Sequence, residues 1–149
     1  MFSLYFHIPF CRKACHYCDF HFSTKLTSVE AMVEAMAREL ALRAPDWAEK
    51  GSPSTVYFGG GTPSVLAPDQ IAFLLAAVRH HFPDAAFEEV TLEANPDDLD
   101  RERLEGWRAA GVDRLSVGVQ TFDDAALEWM GRTHSGDDAA RALERAAAL

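Results

Sequence analysis

The strongest constraint on the fold is a strict alternation. Four short apolar runs, Phe2–Ile8, Thr55–Phe58, Glu89–Glu93 and Arg114–Val119, are each followed by a stretch with helical spacing. Strand then helix, four times over and without an internal repeat or low-complexity linker, predicts an α/β chain with a parallel sheet and right-handed crossovers. The helical stretches carry clear stripes. Val29, Met32, Val33, Met36 and Leu40 recur at helical spacing behind a Thr27-to-Glu30 capping box, and Pro45 is expected to stop that helix, leaving Trp47 in a loop. Pro68 suits the first turn of the second helix, whose stripe Ile71, Leu74, Leu75, Val78 and Phe82 closes at Pro83. His80 and His81 fall in its last turn, where the helix dipole favours them. A third helix is expected from Asp97 to Ala110, capped by Gly111. A short fourth follows Asp123, and a fifth, rich in alanine, runs from Asp137 to Leu149. A complete (β/α)₈ barrel takes about 250 residues. Four units therefore read as the N-terminal half of a parallel, TIM-like barrel: one core domain over residues 1–149, its C-terminal part absent, its fourth strand an unprotected edge.

The residues that break the apolar pattern fall just after the strands. Cys11-Arg-Lys-Ala-Cys15-His-Tyr-Cys18 follows the first run and Gly59-Gly-Gly-Thr62 the second, while Glu93 ends the third and Gln120 the fourth. In a parallel barrel all strand C-termini open on one face, where active sites lie. The chain has three cysteines in all, and an odd count so tightly spaced points to a metal site, not a disulfide framework. Such a loop suits an iron–sulfur cluster with one iron left open. Zinc, completed by a fourth donor from His7, His16 or His21, is the second reading, behind iron–sulfur. The other features have plainer readings beside functional ones. The glycines make a turn, although missing side chains also let backbone amides approach a ligand. Glu93 fits a solvated strand end, Gln120 a partner for backbone groups, Arg132 an ordinary surface residue and His7 a core residue.

Composition narrows the class. A formal charge of −9 with scattered basic residues leaves no electrostatic footprint for nucleic acid or an anionic membrane surface. The 48% hydrophobic content suffices for a core. The longest apolar run, Ile71 to Val78, is too short for a transmembrane segment, and the N-terminus lacks the charged and apolar regions of a secretory signal. A thiol-rich loop without disulfides fits a reducing cytoplasm, which is the expected location.

The Cys-x₃-Cys-x₂-Cys loop resembles the signature of the radical S-adenosylmethionine (SAM) superfamily. Four blocks in order are similar to its coproporphyrinogen-oxidase-like branch: Tyr5-Phe-His-Ile-Pro-Phe-Cys11, Gly-Gly-Gly-Thr62-Pro63, Leu92-Glu-Ala-Asn-Pro96, and Ser116-Val-Gly-Val-Gln-Thr-Phe122 with Gly131-Arg-Thr-His134. The resemblance implies a [4Fe–4S] cluster on Cys11, Cys15 and Cys18, whose open iron chelates the amino and carboxylate groups of SAM. It implies SAM contacts from Tyr5, Gly60, Gly61, Thr62, Glu93, Gln120 and Arg132, with Tyr17 over the adenine or a second SAM. It also implies reduction of the cluster by an electron donor and cleavage of SAM to methionine and a 5′-deoxyadenosyl radical. No catalytic side chain is assigned. The oxidases of this branch carry a fourth cysteine two positions after the third; here Phe20 stands there, as in the HemW-like heme chaperones. That group implies heme or a porphyrin as ligand and an apo-protein, such as a respiratory enzyme, as recipient. The alternatives are an oxygen-independent oxidase that decarboxylates porphyrinogen propionates, and a zinc-loop binding domain without a redox role.

Overall fold

The computed structural model describes residues 1–149. In chain order the elements are β1 (Phe2–Ile8), α1 (Val29–Trp47), β2 (Pro53–Gly60), α2 (Pro68–His81), β3 (Glu89–Ala94), α3 (Arg101–Ala110), β4 (Arg114–Val117), α4 (Asp124–Met130) and α5 (Gly136–Ala147). The strands form one sheet in the order β1-β2-β3-β4, every pair parallel. Sequential neighbours joined by helical crossovers are the βα repeat that the alternation predicted.

Successive residues of a strand point to opposite faces, and the two faces here differ in kind. Phe6, Ile8, Val56, Phe58, Val90, Leu92 and Ala94 are buried in one core with Val33 and Leu40 of α1, Ile71, Leu74, Leu75 and Val78 of α2, and Leu104 and Trp107 of α3. The other face is polar. Thr55 donates to the Ser3 hydroxyl at 2.7 Å, Thr91 to Glu89 at 2.8 Å, and Arg114 to the Thr91 hydroxyl at 3.2 Å. The apolar run of β1 reads from the sequence as a buried strand. It buries alternate residues instead, and His7, read as a core residue, lies exposed beside Tyr5 on the polar face.

Four local expectations are corrected. Pro45 sits inside the last turn of α1 and does not stop it. So near the C-terminus the ring forfeits little, and the Trp47 ring, 5.0 Å from that of Phe2 and under the Lys50 ammonium at 4.0 Å, holds the final residues helical. Thr27 lies within a 3-10 turn, Leu26–Ser28, that leads into α1 and has no side-chain cap. α3 starts at Arg101 because Pro96–Asp98 form a separate 3-10 turn, and Asp100 caps the helix by accepting from the Arg103 amide at 2.9 Å. β4 ends at Val117. Beyond it the chain closes two tight turns, Val119 N–H to Val117 O and Thr121 N–H to Val119 O, both at 2.9 Å. Arg132 and His134 take the Gly118 and Val119 carbonyls that a longer strand would have used. Gln120 is thereby held at φ 69°, on a loop and not at a strand end.

The contact between α2 and α3 generates a test. A Cβ on Gly106, inside α3, would meet Pro68 Cβ and Cγ at 2.7 Å. Glycine to alanine in a helix interior ordinarily gains about 1 kcal/mol. Here Gly106→Ala is expected to lower the unfolding midpoint in urea, because the rigid proline ring leaves no room for the methyl group. A raised midpoint would show that the two helices part freely.

Candidate functional site

β1 delivers the chain to the cysteine loop, and the end of β2 holds the loop in place. Gly61 N–H donates to Ile8 O at 2.9 Å and Thr62 N–H to Phe10 O at 2.7 Å, continuing the β1–β2 contact beyond the strands. The approach is close enough that a Cβ on Gly61 would lie 2.7 Å from the Phe10 oxygen and 2.9 Å from Cys11 Sγ. Gly60 adopts φ +123°, and a Cβ there would meet the His7 ring and Ile8 O at 3.0 Å. These two glycines are therefore required by the loop that packs on them. The sequence suggested backbone amides offered to a ligand, but those of Gly60, Gly61 and Thr62 are all engaged within the protein.

The loop is fastened on its other sides too. Ser23 N–H donates to Pro9 O at 2.8 Å and Cys11 N–H to Ser23 O at 3.1 Å. His16 N–H donates to Met130 O at 3.0 Å, and its Nδ1 lies 2.8 Å from Trp129 O, so the C-terminus of α4 clasps the loop. Arg12 Nε donates to Asp98 at 3.1 Å. Asp98 is buried, and its carboxylate also accepts from Ser64 Oγ at 2.6 Å and lies 3.6 Å from Arg103. A buried carboxylate so fully partnered is a firm anchor, and removing one partner is costly.

The strand ends open on one pocket of about 390 Å³. It is lined by Cys11, Cys15, Tyr17, Cys18, Gly60, Gly61, Thr62, Glu93, Gln120 and Arg132, which is every cluster ligand and SAM contact that the resemblance implied except Tyr5; the candidate zinc donors His7, His16 and His21 are not in its wall. Tyr5 lies on the polar sheet face, its ring stacked on that of Tyr57 with centroids 5.9 Å apart. Lys13, Phe20, Phe22, Ala94, Asn95, Ser116, Val117 and Gly118 complete the wall, and none of them was named as a ligand contact; the Asn95-Pro96 step at a strand end was the one available signal. Arg132 bridges the site. Its Nη2 donates to Asn95 Oδ1 at 2.9 Å and to Gly118 O at 2.6 Å, and its Nη1 lies 3.6 Å from Cys15 Sγ. Its Nε is buried without a partner. Glu93 accepts from the Tyr57 hydroxyl at 2.7 Å and from Gly60 N–H at 3.1 Å.

The three thiols are free and half-buried. Burial pushes the Cys11 thiol above its ordinary value; the Thr62 hydroxyl at 3.4 Å and Arg132 oppose the shift, while Cys18 and Cys15 add to it. Burial likewise raises Tyr17, with Arg132 opposing and Cys15 adding. The residues present fit a metal group: three free thiols line a single wall. Three thiolates suit a cluster that spreads its ligands over several metals, or zinc with a fourth donor. Among the described residues no helix is long and apolar enough to cross a membrane.

Comparison with known proteins agrees with this arrangement. The chain is 41% identical to the heme chaperone HemW of Bacillus subtilis over 97% of its length, covering 38% of that protein. It is 42% identical to the mouse mitochondrial radical S-adenosyl methionine domain-containing protein 1 over 99% of its length, covering 33% of that protein. The solved structure of coproporphyrinogen III oxidase (HemN) from Escherichia coli, a radical SAM enzyme, superposes with a TM-score of 0.85 at 30% identity. That match takes in 99% of this chain and 34% of the oxidase. The chain thus spans between a third and two fifths of the length of these relatives, and its four βα units correspond to part of the radical SAM barrel. The family model described as Radical SAM superfamily matches residues 5–149, from the strand before the cysteine loop through α5, and the chain belongs to that superfamily.

Proposed function

We propose that residues 1–149 are the core of a HemW-like heme chaperone, the part that binds a [4Fe–4S] cluster and SAM. The observation that carries this reading is the single pocket at the strand ends, which gathers three free thiols with Glu93, Gln120 and Arg132. Cys11, Cys15 and Cys18 would hold the cluster, leaving one iron for the amino and carboxylate groups of SAM. When bound, the cluster supplies the single electron that cleaves SAM. The protein's own part is to bind, orient and shield. Glu93 would accept from a polar group of SAM. Gln120 and Arg132 would hold others, the buried and unpartnered Arg132 Nε being a donor with capacity to spare. Tyr17, partly exposed at the rim, would cover the adenine or a second SAM. Tyr5, outside the pocket wall, would reach SAM only from the sheet face.

Phe20 favours the chaperone over the oxidase. It stands where the oxidases of the branch carry a fourth cysteine, and it is 77% exposed beside the pocket. Heme or a porphyrin, an electron donor and a heme-receiving apo-protein would then be the partners. The oxidase reading rests on the close superposition with the Escherichia coli enzyme. Anaerobic incubation with coproporphyrinogen III separates the two, since only an oxidase releases carbon dioxide from the propionates.

Two experiments test the assignment. Anaerobic reconstitution of the full-length protein should give a brown product with about four irons per chain, and Cys15→Ala should abolish uptake while the circular dichroism is retained. A colourless product with stoichiometric zinc would overturn the cluster. In calorimetric titration with SAM, Glu93→Ala and Gln120→Ala should each weaken binding by about 1.5–3 kcal/mol, the worth of a hydrogen bond to a charged group. Unchanged affinity in both would move the SAM site elsewhere.

A further inference from the structure

Glu93 is held by two groups, and both come from β2. One carboxylate oxygen accepts from the Tyr57 hydroxyl at 2.7 Å and the other from Gly60 N–H at 3.1 Å. An ionised carboxylate offers about four lone-pair sites, so two tethers fix the group and leave each oxygen free to accept from a ligand. Glu93 lines the pocket and Tyr57 does not, so whatever Tyr57 contributes there passes through Glu93.

Tyr57 is itself set in place. Its ring stacks on that of Tyr5 with an interplanar angle of 22°. A Cβ on Gly59 would lie 2.8 Å from both tyrosine rings, so the pair exists only because residue 59 has no side chain. The Tyr57 hydroxyl donates and the Glu93 oxygen accepts, and that bond is the chief cause of a Tyr57 pKa raised above its ordinary value.

We propose that Tyr57 is a positioning residue that orients Glu93 toward the cationic or hydroxyl group of the bound ligand, with Gly59 supplying the space its ring requires. This rests on the reading of Glu93 as a SAM contact. The consequence is that a hydroxyl outside the pocket sets the affinity within it.

The test is a double-mutant cycle on the cluster-loaded full-length protein, with SAM affinity read by calorimetry for the unmutated chain, Tyr57→Phe, Glu93→Ala and the double variant. Tyr57→Phe keeps the ring and its stacking, so the melting temperature and iron content should match the unmutated protein. It should weaken SAM by about three- to tenfold, the range for one lost hydrogen bond, and change nothing further in the Glu93→Ala background. Equal losses in both backgrounds, or none in the unmutated chain, would overturn the positioning role while leaving Glu93 as a contact. A Glu93→Ala variant with full affinity would overturn the reading of Glu93, and this proposal with it.

Discussion

The arrangement depends on the closeness of the cysteine loop to the end of β2. Two backbone hydrogen bonds, Gly61 to Ile8 and Thr62 to Phe10, carry the parallel contact past the last residues of the strands. They bring Thr62 Oγ1 within 3.4 Å of Cys11 Sγ. Without a bare backbone at Gly61 the loop would stand off, and Cys11 would not face the same space as Glu93 of β3. The loop is thus held as a ligand frame: β2 on one side, the carbonyls of α4 on another, and the buried Asp98 through Arg12 on a third.

The electrostatics of the pocket follow from that crowding. Three thiols and Glu93 share one wall, and the nearby positive charges are Arg132 and Lys13. Burial raises the Cys11 pKa above its ordinary value, and a neighbouring thiolate at Cys18 or Cys15 raises it further. Thiolate ligands must lose their protons, so metal binding to such a loop releases protons and becomes tighter as pH rises. Arg132, fixed by Asn95 and Gly118 and within 3.6 Å of Cys15, is the cation placed to compensate charge at the thiols.

Much of this was legible in the sequence because apolar alternation and strand-end punctuation are local signals. The stripe Ile71, Leu74, Leu75 and Val78 identified α2, and all four residues are fully buried. The rule that polar features cluster at parallel strand ends brought the cysteines, Gly60, Gly61, Glu93 and Gln120 to one pocket, and the family resemblance added Arg132. What was not legible depends on tertiary partners. Pro45 looked like a stop because the sequence does not reveal that Trp47 packs on Phe2. β4 looked longer because nothing local reveals that Arg132 and His134 claim the carbonyls beyond Val117. His7 looked like core because its apolar neighbours hid the alternation by which Phe6 and Ile8 turn to the helices and His7 away from them. Tyr57 passed as one more apolar strand residue, since its role appears only once Glu93 is placed beside it.

The most direct test of the central claim is the Mössbauer spectrum of the iron-57-reconstituted full-length protein, recorded without and with SAM. Three thiolates leave one iron of a four-iron cluster without a protein sulfur. The account predicts that SAM shifts the signal of one iron in four and leaves the other three in place. A spectrum unchanged by saturating SAM would contradict it, because the three-cysteine loop would then not be presenting an open iron to the pocket that Glu93, Gln120 and Arg132 surround.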